Sequence, residues 1–463
     1  MAWEKTPSRH STIRRDRLMF GLILAALVFW SAADAASTNG TDAPPASRRG
    51  LDSTRNWPPY CASLAGSSGP HFVNCFINFV GVNHHLGWIG SVYANEPREL
   101  SELQYLGINH VRDVPKDYDI RDFIDLARHG IKFGGPIGGA TQIEMSGNQI
   151  HKELAPYDAV EQAVHGSVFM VEGANETNTQ NVYWRATPTT NGLPSGPAAA
   201  LAMQSALYDA VRADPNLADV PVIDASINPC CDPRYHDYGP WMDYLRAEGK
   251  LDHVGNIGNF HVYTSSGPSY LGFEGGVKWA RIAAPGQPVF ITEFGYVTPK
   301  WISETKEAYY MLDGIMNAYA LGVQMLFIYE LMDGNTAGGD SMGLFHSDGT
   351  PKPAATSIHN MMMILAATEN AGAVSTTRPV PTVDGLSSTG RSLALINGIG
   401  GYDILIWDEG AGSDATINLG ADYPVAKLYD PVQSPAPFAT LRDARQTTAK
   451  IGADPIILTV GNR

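Results

Sequence analysis

A (β/α)8 barrel followed by a small all-β sandwich is the fold class predicted here, on three observations. Short apolar, β-prone runs alternate with helix-length segments over roughly residues 71–371, the pattern of repeated βα units around a parallel sheet. Several of the helix-length segments end on a glycine, which supplies the left-handed cap that turns a helix back toward the next strand. Beyond residue 371 the apolar pattern changes to a period of two, as in strands with one face buried.

The strand candidates are residues 76–82, 108–111, 131–133, 167–171, 220–223, 258–262, 288–291 and 324–329. Gly107, Gly130, Gly166, Gly249 and Gly322 stand at the predicted helix ends. Between the last two runs, Ala308, Met311, Leu312, Ile315, Met316 and Tyr319 form an apolar stripe at helical spacing, which marks a helix packed on the core. Eight parallel strands with outer helices favour a closed barrel over an open doubly wound sheet, and no Gly-x-Gly-x-x-Gly follows the first run. A last helix is expected at about 352–366. The alternating runs at 392–396, 402–407, 425–429 and 455–460 then form the sandwich.

Composition narrows the class of function. The 463-residue chain is 44% hydrophobic and only 17% charged, which excludes disorder of the chain as a whole. Its formal charge of -15, from 47 acidic against 32 basic residues, argues against a nucleic-acid partner. Residues 1–35 read as a signal peptide. Arg14, Arg15 and Arg17 precede an apolar run at 18–30, and Ala33-Asp34-Ala35 has the small-x-small pattern of a cleavage site. The run is shorter than the ~20 residues a membrane span needs, so no stable membrane insertion is expected after processing, and the protein is expected to be secreted or periplasmic. Residues 36–70, rich in Ala, Ser, Thr, Gly and Pro, read as a flexible linker. The barrel is assigned to 71–371 and the sandwich to 372–463.

Four cysteines in an exported chain allow two disulfides in three pairings. Position along the chain favours Cys61 with Cys75 and a vicinal Cys230 with Cys231, since neither pair then crosses the domain. No Cys and His spacing points to a metal site, and no cofactor is expected.

In a barrel of this kind chemistry sits just past the C-terminal ends of the strands. The fourth run ends in Val171-Glu172-Gly173-Ala174-Asn175-Glu176 and the seventh in Ile291-Thr292-Glu293-Phe294. Two glutamates thus leave strands three apart, on opposite sides of the mouth. Cleavage of a glycosidic bond needs two such carboxyl groups, one to protonate the departing oxygen and one to meet the oxocarbenium-like anomeric carbon.

With these residues the chain resembles the clan A glycoside hydrolases, the barrel enzymes that include the cellulase-like family five and the β-xylosidase-like family thirty-nine. The resemblance covers about residues 71–370. It implies that Glu176 is the acid/base and Glu293 the nucleophile of a retaining hydrolase acting on a β-linked glycan or glycoside. It also implies that Asn175 binds the sugar 2-OH, that Arg112 neighbours the nucleophile, and that His261 and Tyr263 contact it. His84, His85 and Trp88, after the first run, are expected to bind hydroxyls and a sugar face. The clan often places a Trp at the end of the eighth strand. Here Tyr329 stands in that place, and Glu330 beside it adds a third carboxylate.

Competing motifs are weaker. Gly339-Asp340-Ser341-Met342-Gly343 matches a nucleophile elbow but lacks the strand before and the helix after that the motif requires. Asn175-Glu176-Thr177 matches a glycosylation sequon by coincidence. Asp408 and Glu409 read as a solvated turn. The expected partner is a carbohydrate substrate bound by a monomer. A non-catalytic carbohydrate-binding barrel is the alternative from another class.

Overall fold

The computed structural model describes residue 61 and residues 71–138, 143–180, 182–184, 197–228, 255–334, 341–369, 377–410 and 412–462. The expected signal peptide, nearly all of the expected linker, Gly249, Gly339 and Asp340 of the elbow motif, and Cys230 and Cys231 with their expected pairing lie outside these residues. Cys61 and Cys75 are joined by a disulfide, with their Cα atoms 5.5 Å apart.

The body of the structure is a mixed α/β fold around a parallel sheet. After a two-residue strand β1 (His71–Phe72) and helix α1 (Val73–Asn78) come β2 (Val80–Asn83), α2 (Glu96–Leu106), β3 (His110–Arg112), α3 (Ile120–Arg128) and β4 (Lys132–Gly134). Then follow β5 (Ile143–Met145), α4 (Gly147–Ala163), β6 (Val171–Glu172), β7 (Val182–Trp184), α5 (Pro197–Ala213) and β8 (Val222–Ile223). The body ends with β9 (Gly258–Val262), α6 (Tyr270–Ala283), β10 (Val289–Phe294), α7 (Glu304–Ala320), β11 (Met325–Ile328) and α8 (Pro353–Ala366). Six strands pair in the order β4-β3-β2-β11-β10-β9, all parallel, and β6 pairs with β8. Parallel bridges Phe133–Val168 and Pro136–Glu172 join β4 to the β6 segment, and Ile223–Ile257 joins β8 to the start of β9.

Each of the eight expected runs carries a strand at or near the expected place. The first does not begin as one. Residues 73–78 form α1, and the strand starts only at Val80. Val73, Asn74, Cys75 and Phe76 are four consecutive buried residues, so this helix is buried on more than one side and shows no alternation to mark it. Gly107, Gly130, Gly166 and Gly322 all have positive φ, as caps before the next strand require. Asn95, Ser146 and Ser303 cap the starts of α2, α4 and α7 by accepting the backbone N–H three residues on.

Two apolar layers share the strands. Residues facing the helices join one large core. Phe169, Met170, Ile223, Ile257, Phe290, Met325 and Phe327 form a separate cluster made only by strand residues and those just before them. Burial beside this cluster lowers the His110 imidazole to about 3, with Lys132 adding to the effect, so His110 is neutral there.

The C-terminal strands are β12 (Thr382–Asp384), β13 (Gly390–Ile396), β14 (Tyr402–Asp408), β15 (Ser413–Tyr429), β16 (Ala439–Ile451) and β17 (Ile456–Gly461). The expected sandwich is one hydrogen-bonded sheet, in the order β1-β13-β14-β17-β15-β12 with β16 alongside β15. The long strand β15 is bulged between Asn418 and Tyr423, and it pairs with β12 before the bulge and β17 after it. Strand β14 is buried on both faces. Tyr402, Ile404 and Ile406 enter the sheet's own core, while Leu405 and Trp407 enter the core of the α/β body. Among the described residues no helix is long and apolar enough to cross a membrane.

Candidate active site

Strand β6 ends at Glu172 and the chain passes so close to α5 that a Cβ on Gly173 would overlap the Gln204 carboxamide and crowd the Ala225 amide. This tight exit carries Asn175 and Glu176 over the strand ends. Glu176 itself has φ of 46°, a left-handed conformation that an L side chain adopts at a cost of about 1 kcal/mol or more. Its backbone N–H is held by Ser226 Oγ at 2.8 Å.

Strand β10 supplies the facing carboxylate by a different device. Phe290 pairs with Met325 and Ile291 with Leu326, but Phe294 pairs with Ile328, so β10 holds one residue more than β11 over this stretch. The register against β9 slips in the same place, between Phe290 and Glu293. Such a bulge re-aims side chains, and here Thr292 and Glu293, which simple alternation would send to opposite faces, both reach the site.

Arg112, at the end of β3, organises the cluster. Its guanidinium donates to both oxygens of Glu172 at 2.6 and 3.0 Å, to Glu293 Oε1 at 2.7 Å, to Asn83 Oδ1 at 2.9 Å and to Asn175 Oδ1 at 2.7 Å. Burial opposes the charge, but Glu172 and then Glu293 outweigh it and raise the pKa above the ordinary arginine value. Tyr263 donates its hydroxyl to Glu293 Oε2 at 2.5 Å. Glu293 therefore receives a fixed cation on one oxygen and a hydrogen bond on the other.

His261 lies between the two glutamates. Its Nδ1 is 3.0 Å from Glu176 Oε1 and 3.4 Å from Glu293 Oε2. On its other side, Nε2 meets the Thr292 hydroxyl at 3.1 Å, and that hydroxyl also faces acceptors on Glu172 and Asn259. The hydroxyl has one hydrogen, which goes to an acceptor, so it takes the Nε2–H of His261. The Nδ1 edge of His261 faces the Glu176 carboxylate. Burial alone would raise the Glu176 pKa, but the bond and charge of His261, with Asn228 and Arg112 behind them, bring it below the usual carboxylate value. The nearest donor atoms of Glu176, His261 and Glu293 lie within 4.8 Å of one another. Among the described residues this is the one set spaced to hold a metal ion. Its atoms already face Arg112, Tyr263 and each other.

A cavity of about 330 Å³ opens over the pair and is lined by the remaining expected residues Asn175, His85, Trp88 and Tyr329, with Lys116, Tyr118 and Gln180 among its other walls. Asn175 gives its carbonyl to Arg112 and lies 8% exposed, which leaves its amide N–H groups for a ligand and makes it unsuited to glycosylation. Trp88 is 49% exposed and stacks flat on His85, with centroids 3.9 Å apart.

Two expectations, on His84 and on the Asp408–Glu409 turn, need correction, and Glu330 finds its place. His84 cannot serve as a hydroxyl ligand, because it is fully buried with Nδ1 on Asp113 at 2.7 Å and Nε2 on Glu99. Although burial works against the charge, these two carboxylates raise its pKa to about 10, so it is an imidazolium buttress beneath the site. Glu330 is no third member of the pair. Its carboxylate accepts from Tyr93 at 3.0 Å and faces His85 Nε2 at 3.3 Å, and so steadies the ring on which Trp88 stacks. The Asp408–Glu409 turn is not solvated: Asp408 is buried, and Glu409 Oε1 is bound to Ser269 and Asn317 of the α/β body. The residues missed were Glu172, Asn83, Asn259 and Thr292. Glu172 carried a usable signal, a carboxylate at the very end of the fourth strand. Asn259 carried another, since it alternates with His261 on one face of β9.

No family model matches the chain, and no curated protein sequence matches it. Solved structures do. The chain overlays on a monomeric β-xylosidase from Caulobacter crescentus CB15 with a TM-score of 0.52 and 15% identity, covering 85% of this chain and 97% of that one. The GH39 enzyme from Xanthomonas axonopodis pv. citri gives a TM-score of 0.51 and 13% identity, with 85% and 96% covered. A calcium-binding mutant of Bacteroides uniformis β-glucuronidase 2 aligns at a TM-score of 0.44 and 12% identity over 81% of this chain, which spans 42% of that longer chain. At such identities the first two likenesses establish a common fold: this chain is built as those glycoside hydrolases are built.

Proposed function

We propose that the protein is a (β/α)8-barrel glycoside hydrolase that cleaves β-linked O-glycosidic bonds with retention, using Glu293 as nucleophile and Glu176 as acid/base. The observation that carries this reading is the pair itself. Two carboxylates reach the site from the ends of β6 and β10 with their nearest oxygens within 4.8 Å, which supports the ~5–5.5 Å carboxyl separation of retaining enzymes. The run of pairings from β4 round to β9, with the bridges that join β8 and β6, supports closure into a barrel. The fold shared with a β-xylosidase and a GH39 enzyme supports the reaction class.

In the first step Glu293 attacks the anomeric carbon, and the leaving oxygen takes a proton from Glu176. His261 Nδ1, 3.0 Å from Glu176 Oε1, orients this carboxyl for the transfer. Departure of the aglycone admits water, Glu176 removes its proton, and the ester to Glu293 is hydrolysed. Asn175 holds the sugar 2-OH, and Tyr329 and Trp88 offer ring faces. We place the catalytic barrel at 71–371 and the β domain at 372–463. The leader at 1–35 exports the chain, and it acts as a monomer.

The test is azide rescue on aryl β-glycosides. Glu176→Ala should lose roughly 10²- to 10⁴-fold on a poor leaving group and regain turnover with azide, giving a product of retained configuration. Glu293→Ala should give the inverted azide. Exchanged configurations would reverse the two roles. Undiminished activity in both variants, or a wild type that binds oligosaccharide but is never labelled by an epoxide glycoside, would leave a carbohydrate-binding barrel without catalysis.

A further inference from the structure

Helix α6 begins at Tyr270 with Ser269 in the cap position, yet the Ser269 side chain makes no capping bond to its own helix. The cap comes from the C-terminal sheet. One oxygen of Glu409, just past β14, accepts from Ser269 N at 2.8 Å, Ser269 Oγ at 3.1 Å, Tyr270 N at 3.3 Å and Asn317 Nδ2 at 2.8 Å. An anion at a helix N-terminus is favourably placed against its exposed N–H groups. Two neighbours in the sheet reinforce it. The Trp407 indole donates to Asn317 Oδ1 at 2.9 Å, and the Arg391 guanidinium lies 3.5 Å from the centre of the Tyr270 ring.

The segment that ends at this cap begins at Tyr263, whose hydroxyl is on Glu293. Between them the chain turns through Ser265, at φ of 55°. It is tied inward where Thr264 Oγ1 meets Tyr296 at 3.2 Å, and Tyr296 lies three residues past Glu293. The loop is thus anchored to the nucleophile's strand at one end and to the C-terminal sheet at the other.

We propose that Glu409 is a positioning residue for the reaction: the C-terminal sheet, through this carboxylate, fixes the 263–270 loop and so sets the Tyr263 hydroxyl on the nucleophile. The inference deepens the hydrolase reading and rests on it for its kinetic consequence, while the mechanical link stands by itself. Glu409→Ala should keep the fold but lower kcat by roughly 10- to 100-fold, the scale of a remote misplacement, with KM little changed. Glu409→Gln, whose amide oxygen still accepts, should restore most of the rate. In a Tyr263→Phe background Glu409→Ala should add almost nothing, since both act through one contact.

Hydrogen exchange of residues 263–270 in the full chain needs no substrate and reads the link directly. Faster exchange in Glu409→Ala, and in Asn317→Ala should the first variant fold poorly, supports it. Unchanged exchange overturns it. With an active wild type, a fall in Tm without change in kcat, or losses that add fully in the double variant, also overturns it. A wild type inactive on every glycoside, with exchange still faster in the variant, would count against the hydrolase reading and not against the link.

Discussion

The same parallel strands carry two opposite environments. Toward their starts lie Phe169, Met170, Phe290, Met325 and Phe327, all apolar, with His110 kept neutral beside them. At their ends lie Arg112, Glu172, Glu176, His261 and Glu293, most of them as deeply buried, yet joined by charged hydrogen bonds. A buried ion cluster is weak support for stability, because desolvation cancels most of its attraction, whereas the apolar half gains from every methylene it hides. The strands therefore concentrate folding free energy at one end and chemistry at the other.

The sharpest challenge to that division is Arg112→Met. It leaves Glu172 and Glu293 buried without their cation, so activity should fall roughly 10²- to 10³-fold and stability by about 3–5 kcal/mol. Loss of activity with stability intact, measured by denaturant unfolding, would show that the charged end is less dependent on its arginine than the geometry states. Phe327→Ala, at the apolar end, should cost a similar 3–5 kcal/mol while kcat and KM hold at temperatures where the variant remains folded. A fall in kcat there would mean the two ends are coupled.

A pH series tests the buttress beneath the site. His84 has a folded pKa of about 10 against 6.5 unfolded, so the native state holds an extra proton between those values. The stabilisation is full below pH ~6.5 and is lost as pH rises toward ~10. His84→Gln should be less stable than wild type at pH 6, and the gap should close by pH 10. The smallest effect is expected at the rim. Trp88→Ala removes a half-exposed ring, so KM should rise by up to about tenfold with kcat unchanged, the range of a single stacking contact.

What was readable in advance follows the same physical line. Glycine caps, β-branched strand cores and the two glutamates at strand ends are local signals, and they placed most of the parallel strands and the carboxylate pair. The α1 segment misled because a helix buried on several sides has no period to detect. Strand β16 escaped notice because its residues are mostly polar and exposed, and its conformation comes from pairing with β15. The bulge that turns Glu293 inward exists only relative to two neighbouring strands, and the role of Glu409 only relative to a helix more than a hundred residues earlier.

The placement of β1 bears on how the chain is made. His71 and Phe72 pair with Leu395 and Ile396, so the first described strand is stitched into the sheet built from the last. A ribosome delivers the N-terminal partner long before the strand that receives it, and the chain must hold that short edge unpaired until β13 emerges. Removing the C-terminal sheet would then strip the opening residues of their partner as well, and it would cut away Trp407 and Glu409, the two residues on which α6 and α7 rest. Completion of the last ninety residues is thus the step at which the beginning of the body, and the loop beside Glu293, acquire their final neighbours.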